Sequence, residues 1–221
     1  MRFDLDLVRP VHLEQVTEPG GRYYVLPDGT KYFSTTTILG DVLPHSPELD
    51  AWRKAVGAER ADLVLRTAGR RGTAIHDLAE RYVLGEEDWS RGAMPVNLHT
   101  FKSIRPQLDQ NLGRVRVVEG RIYSRELRMA GTNDLCAEWA GVPSVIDFKT
   151  SRRQKGLKDI GGYLLQVGCY GIMLEETYEI QTEQAVILMA VDNETEPQVF
   201  VRPIEPLKAI ARKLLVNRSS R

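Results

Sequence analysis

Hydrophobic residues along the chain follow two periods, and the change from one to the other falls near Gly113. Ahead of it, GRYYVLPDGTKYFS alternates aromatic and polar positions around Pro27-Asp28-Gly29, which predicts a hairpin, read as an accessory element. Ser46-Pro47 supplies an N-cap followed by proline at the first helical position, and the charged, Ala-rich stretch from Glu48 to about Thr67 continues as helix. A second helix is expected from Thr73, its N-cap. It gathers Ile75, Leu78, Ala79 and Tyr82 on one stripe with His76, Asp77 and Glu80 beside it. A third runs roughly from Val96 to Leu112.

Beyond Gly113 the pattern alternates through VRVVEGRIYS, GTNDLCAEW and SVIDFKT, each bounded by Gly, Pro or charged turns, which predicts an antiparallel meander. A helix from about Ile160 to Glu176 follows, then strands near Gln184 to Val191 and Val199 to Pro203, and a basic helix from about Pro206 to Val216. The expected fold is α+β (mixed α/β), a central mixed sheet flanked by helices with an N-terminal helical region. One domain over 1–221 is expected, with a hairpin and helical region at 1–112 and the core at 113–221.

Charge and composition change this picture little. Lys plus Arg and Asp plus Glu both number 30, so nothing suggests a protein that coats polyanions, although a local basic strip beside an acidic site would give the same total. The longest apolar run, Ala185 to Val191, falls far short of the roughly 20 residues of a membrane span. MRFDLDLVRP lacks the apolar stretch of a secretory signal, so a cytoplasmic location is expected. Cys136 and Cys169 are too few for a four-cysteine zinc site or iron-sulfur cluster, and are expected as reduced core thiols.

The candidate chemistry lies in GTNDLCAEWAGVPSVIDFKT. A two-residue turn at Ala140-Gly141 pairs Trp139 with Val142 and, stepping back, Asp134 with Asp147. In that register the two carboxylates form a pair without mutual backbone hydrogen bonds, Cα atoms about 4.5 Å apart, with Lys149 on the same face. Leu135, Ala137, Ile146 and Phe148 share the opposite face, so one face reads as core and the other as chemistry. Facing carboxylates repel unless protonated or bridged by a cation, and oxygen ligands of this kind suit Mg2+ or Mn2+. A solvated Asp-Asp-Lys surface cluster fits the spacing equally well.

GTAIHDLAE (Gly72 to Glu80), AGTNDL (Ala130 to Leu135), VIDFKTS (Val145 to Ser151) and QVGCY (Gln166 to Tyr170) occur in an order and spacing that resemble the RecB-like branch of the PD-(D/E)XK nucleases, in particular the group of mitochondrial genome maintenance and phage exonucleases. The N-terminal YYVLPDGTKYFSTTTIL adds a weaker likeness. The resemblance implies a restriction-endonuclease-like core. It further implies Asp134, Asp147 and the Phe148 carbonyl as metal ligands, Lys149 as the catalytic lysine, and His76 as an additional ligand, although a histidine on an amphipathic helix is more often structural. Gln166 and Tyr170, four apart on one helix face, are implied to act together on DNA or on the lysine, with Tyr163 a weaker candidate. Glu119 and Glu126 both stand where the family carries a further acid, and the sequence does not choose between them. Arg152, Arg153, Lys155 and Lys158 follow the catalytic strand and are candidates for phosphate contacts, with Arg70 and Arg71 weaker ones.

The implied activity is a Mg2+- or Mn2+-dependent DNA exonuclease acting on single-stranded ends, without an iron-sulfur cluster, in a bacterial cytoplasm and of phage origin. A structure-specific or flap endonuclease uses the same chemistry, and a noncatalytic DNA-binding subunit of a repair assembly uses the same fold.

Overall fold

The computed structural model describes residues 3–43 and 47–216, so the expected cap at Ser46 lies outside the described residues. Three short strands, β1 (Glu14–Glu18), β2 (Gly21–Val25) and β3 (Lys31–Ser34), lead into helix α1 (Thr35–Val42). Helices α2 (Pro47–Val56), α3 (Ala58–Val83) and α4 (Pro95–Asn111) follow. The meander β4 (Leu112–Ser124), β5 (Met129–Trp139), β6 (Val142–Ser151) then gives way to α5 (Gly161–Tyr178), β7 (Gln184–Val191), β8 (Gln198–Pro203) and α6 (Ile204–Leu215). The fold is mixed α/β, one eight-stranded mixed sheet flanked by helices.

Strand order is β1-β2-β3-β5-β6-β7-β8, with β4 paired to β5 off that path. β6 and β7 run parallel, joined by α5, and every residue of β7 from Ala185 to Val191 is buried, as a strand covered on both faces must be. On one side of the sheet α1, α5 and α6 cover a core containing Val117, Cys136, Val145, Ile187 and Met189. On the other, α3 and α4 cover Leu135, Ile146, Phe148, Val186 and Leu188. Both cysteines are free and buried, and burial pushes the Cys136 thiol up to about 12.

Three expectations need correction. The N-terminal hairpin is not accessory: β3 pairs in parallel with β5 at Phe33↔Met129 and Ser34↔Ala130, bringing the N-terminal strands into the main sheet. That contact spans about a hundred residues of sequence, so no local pattern could announce it. Secondly, the helical region breaks at Gly57, whose φ of 84° leaves the helical region, and α3 then runs unbroken through Thr73. The Thr73 hydroxyl donates back to the Gly69 carbonyl at 3.2 Å, the habit of a threonine inside a helix and not of a cap. Thirdly, the carboxylate-bearing face of the meander is core as well, because α5 covers Cys136 and Val145 beside the aspartates. Among the described residues no helix is long and apolar enough to cross a membrane.

α5 is apolar nearly all round, with every residue from Val167 to Leu174 buried, because it lies between the sheet and α6. Gly168 allows the approach: a Cβ there would sit 2.8 Å from the Leu207 carbonyl carbon and oxygen of α6. Alanine should favour a helix by about 1 kcal/mol over glycine, but forcing backbone apart costs about 1–3 kcal/mol. Gly168→Ala is therefore expected to lose up to about 2 kcal/mol, read as a lower urea midpoint at unchanged m-value. A gain in stability would show that α5 and α6 are not closely packed there.

Candidate metal centre

The site forms where the β5 edge is vacated. β4 accompanies one edge of β5 from Trp139 to Met129. The other edge is shared: β6 holds it from Trp139↔Val142 to Leu135↔Ile146, and β3 rejoins it only at Ala130 and Met129. Residues 131–134 between them have no strand partner on that side. The ladder ends because the Phe148 N–H donates to Asp134 Oδ2 at 2.8 Å. Asp134 and Asp147 occupy the step just beyond the last pair, in the expected register.

On the β4 side the row continues. Glu119 lies between the pairs Val118↔Leu135 and Gly120↔Asn133, opposite Asp134, with a φ of 45° that a non-glycine residue rarely adopts. Val117 and Ile122, an odd number of residues apart, both belong to the core beneath α5, so the alternation slips between them. That slip, in Val117-Val118-Glu119-Gly120, is the sequence signal that could have selected Glu119 over Glu126. Glu126 instead pairs with Arg212 at 2.9 Å on the surface.

α3 brings His76 to this row. Its Nδ1 lies 3.4 Å from both Glu119 Oε1 and Asp134 Oδ1, and its Nε2 lies 3.0 Å from the Phe148 carbonyl oxygen. One ligand atom each from His76, Glu119 and Asp134 falls within 4.8 Å of the others. Asp147 is fully buried and ion-pairs with Lys149, yet neither of its oxygens has a well-directed hydrogen bond. The Lys149 ammonium also lies 5.3 Å from the centre of the Tyr163 ring, within cation-π range. Gln166 Nε2 donates to the Tyr170 hydroxyl at 2.8 Å, so that pair acts as one unit on the cleft wall.

Charge follows burial and partners. Burial opposes the charged form of His76, but hydrogen bonds and charge from Asp134 and Glu119 outweigh it and lift the imidazole to about 10. Burial also raises Asp134, which is nonetheless held below the ordinary carboxylate range by His76, Lys149 and the Phe148 N–H. Asp147 goes the other way: burial dominates, Lys149 offsets part of it, Asp134 adds repulsion, and the carboxyl sits at about 6. The Tyr170 hydroxyl is pushed up, first by burial and then by the two aspartates.

A metal ion fits this set. Buried carboxylate oxygens without directed donors, a second and third carboxylate, a backbone carbonyl and one imidazole make an oxygen-rich donor set suited to Mg2+ or Mn2+. The site opens into a cleft of about 710 Å3, walled by α3 on one side and by β2, β3 and the start of α1 on the other.

Of the residues expected from sequence, His76, Asp134, Asp147, Phe148, Lys149, Gln166 and Tyr170 come together here. Arg152, Arg153, Lys155 and Lys158 do not line the cleft. Their loop is drawn towards β7 and β8, where the Lys155 N–H donates to Gln198 Oε1 at 2.8 Å and Gln154 to Glu194 at 3.2 Å. Arg71 ion-pairs with Asp192 instead. Sequence reasoning missed the opposite wall, Gln15, Arg22, Ser34, Thr35 and Arg121, because the β3–β5 contact that places most of it is long-range.

No family model and no curated protein matches the chain. Among solved structures, the crystal structure of SSO0001 aligns over 67% of this chain and 67% of that chain, at 19% identity and a TM-score of 0.31, a likeness too loose to carry an argument.

In the metal-free protein His76 and Asp147 both have folded-state pKa values above their ordinary ones. Each therefore stabilises fully below its unfolded pKa and loses that contribution as pH rises through the folded one. Thermal stability in EDTA is expected to fall between about pH 4 and 6 through Asp147, and further towards about pH 10 through His76. Asp147→Asn should abolish the lower step, melt higher than the native protein and be more stable by on the order of 1–3 kcal/mol at pH 7 to 8. A native melting temperature that is flat or rising over this range contradicts the electrostatics described.

Proposed function

We propose that the chain is a divalent-metal-dependent nuclease that hydrolyses phosphodiester bonds in DNA, working from single-stranded ends. The observation that carries this reading is the row Glu119, Asp134 and Asp147, its two aspartates buried, closed by His76 and the Phe148 carbonyl, with Lys149 against its edge. His76, Glu119, Asp134, Asp147 and the Phe148 carbonyl would hold the ion. Such an ion supplies Lewis acidity toward a phosphate oxygen and lowers the pKa of a bound water.

The chain's own groups divide the remaining work. Asp134 holds its charge through His76, then Lys149 and the Phe148 N–H, so it would stay a ligand at neutral pH. Lys149 is kept charged, because the attraction of Asp147 and Asp134 outweighs its burial. A fixed cation at this position orients the attacking water and offsets charge that builds on the phosphate during hydrolysis. The Tyr163 ring beneath it limits where the ammonium can go. Gln166 and Tyr170 present paired polar groups to the strand from α5. A cleft in the size range of small-ligand pockets suits an unpaired strand better than a duplex.

Asp134→Asn and Lys149→Ala are each expected to lower single-turnover cleavage of end-labelled single-stranded DNA by about a thousandfold or more. Both should leave the circular dichroism spectrum unchanged. Cleavage in Mg2+ or Mn2+ should stop in EDTA, and circular single strands should survive where linear ones of the same sequence do not. Normal turnover by Lys149→Ala at saturating enzyme would overturn the assigned centre, and cleavage of circles would overturn the requirement for an end.

His76→Ala separates the metal from the substrate. The concentration of Mn2+ needed for half-maximal activity should rise about tenfold or more, as imidazole is a good ligand for Mn2+, while DNA affinity changes little. An unchanged metal titration would remove His76 from the ligand set.

A further inference from the structure

Two residues beyond Glu119 on β4, and lining the same cleft, stands a guanidinium that meets no carboxylate among the described residues. Arg53, Arg71, Arg81, Arg105 and Arg114 each meet a carboxylate. Arg121 is half-buried, yet among the described residues no carboxylate lies within ion-pair distance of it. Its Nη1 donates instead to three neutral oxygens: Thr132 Oγ1 at 2.7 Å, Gln15 Oε1 at 2.9 Å and the Tyr24 hydroxyl at 3.1 Å. Its plane lies over the Tyr24 ring at 5.2 Å. Tyr178 fixes the backbone beneath, donating to the Arg121 carbonyl at 2.8 Å. Among the described residues Nη2 and Nε have no hydrogen-bond partner, and neither is buried.

Partial burial of an unneutralised cation is costly, and four residues, one each from β1, β2, β5 and α5, are spent holding it still. Neutral acceptors fix the guanidinium without cancelling its charge, which leaves half of the fork free for an anion with two oxygens. The same cleft is lined by Glu119 and Asp134, with Asp147 buried behind them, and these acids repel a polyanion, so a strand entering it needs positive charge that they do not neutralise.

The facing wall carries a second unexplained cost. Gly69 and Gly72 both lie inside α3, where glycine is worth about 1 kcal/mol less than alanine, and both line the cleft. Neither has a packing reason, since a Cβ on either would meet only open space. Bare helix backbone opposite a fixed cation admits the close passage of an extended chain.

Resting on the nuclease reading, we infer that Arg121 is a substrate-binding residue that grips a DNA phosphodiester neighbouring the one at the metal, while the strand runs against the bare backbone of α3 at Gly69 and Gly72.

The test uses the full chain carrying Lys149→Ala to suppress cleavage, in Mg2+, with a short fluorescein-labelled single-stranded oligodeoxynucleotide. Arg121→Gln is expected to weaken binding about tenfold and to lower the slope of log affinity against log salt by about 0.7, the value of one single-strand phosphate contact. Arg125→Gln removes the same charge from a guanidinium paired with Asp28 and should change neither. Replacing one phosphodiester at a time by neutral methylphosphonate should reveal a position that weakens binding to the Arg121 protein and not to the Arg121→Gln protein. Arg121→Lys should keep part of the affinity.

Gly69→Ala and Gly72→Ala should move stability and binding in opposite directions, raising the melting temperature by about 2–4 °C and lowering affinity severalfold. Equal loss in Arg121→Gln and Arg125→Gln, or the same methylphosphonate profile with and without Arg121, would overturn the inference, and full affinity in both alanine variants would remove the path along α3. A parent chain that neither binds nor cleaves DNA would instead overturn the nuclease reading itself.

Discussion

The hydrogen bond from the Phe148 N–H to the Asp134 carboxylate decides where the sheet stops being a sheet. A backbone donor on a buried strand must be satisfied, and in a regular ladder a β5 carbonyl would do it. Here a side chain takes the place, so β6 leaves β5 after Leu135↔Ile146 and the β5 edge stands vacant until β3 reaches Ala130. With His76 and Lys149, the same bond helps keep Asp134 ionised against its burial; the Phe148 carbonyl meets His76, and Asp147, one residue away, has no directed donor. Fold and chemistry share this one interaction.

How much of this could be read in the sequence depended on the range of the contact involved. The register of β5 and β6 was legible because a two-residue turn fixes the pairing of its flanks, and Trp139↔Val142 to Leu135↔Ile146 follow from Ala140-Gly141 alone. β7 was legible to the residue because a strand buried on both faces is an unbroken apolar run. The start of α3 was not. Glycines at 69 and 72 and a threonine at 73 look like a helix boundary, and only Gly57, with its positive φ, interrupts the backbone. The resemblance to the RecB-like nucleases brought His76, Gln166 and Tyr170 forward, and the geometry places them around one cleft. It left Glu119 open and directed attention to Arg152 and Arg153, which lie off the cleft, whereas Arg121 carried no motif at all.

Strain and repulsion gather where the chain is committed to a site. Glu119 holds a left-handed backbone, a conformation that costs on the order of 1 kcal/mol in a residue with a side chain. Asp147 is buried near Asp134 with only Lys149 against it. Two interior helix glycines add about 1 kcal/mol each. None of these features helps the metal-free chain to fold. They are tolerated because the cores on either side of the sheet, from Ile187 and Met189 beneath α5 to Ile146 and Leu188 beneath α3, fix β6 and β7 whatever the site does.

That arrangement also explains why the acids need two opposite solutions to their charge. A permanent counterion on Glu119, Asp134 and Asp147 would relieve repulsion and at the same time fill the donor set that the proposed divalent ion would need. The chain uses a titratable one. His76 meets Glu119 and Asp134 through Nδ1 while protonated, and under the proposed function an imidazole that has lost its proton would be free to serve as a ligand. Lys149 must remain charged and therefore sits at the edge of the acid row, against Asp147, where its ammonium does not occupy the space between the imidazole and the other two carboxylates. The proposed role of Arg121 follows the same division: its Nη1 is held by neutral oxygens, so its charge would remain available to an anion entering the cleft.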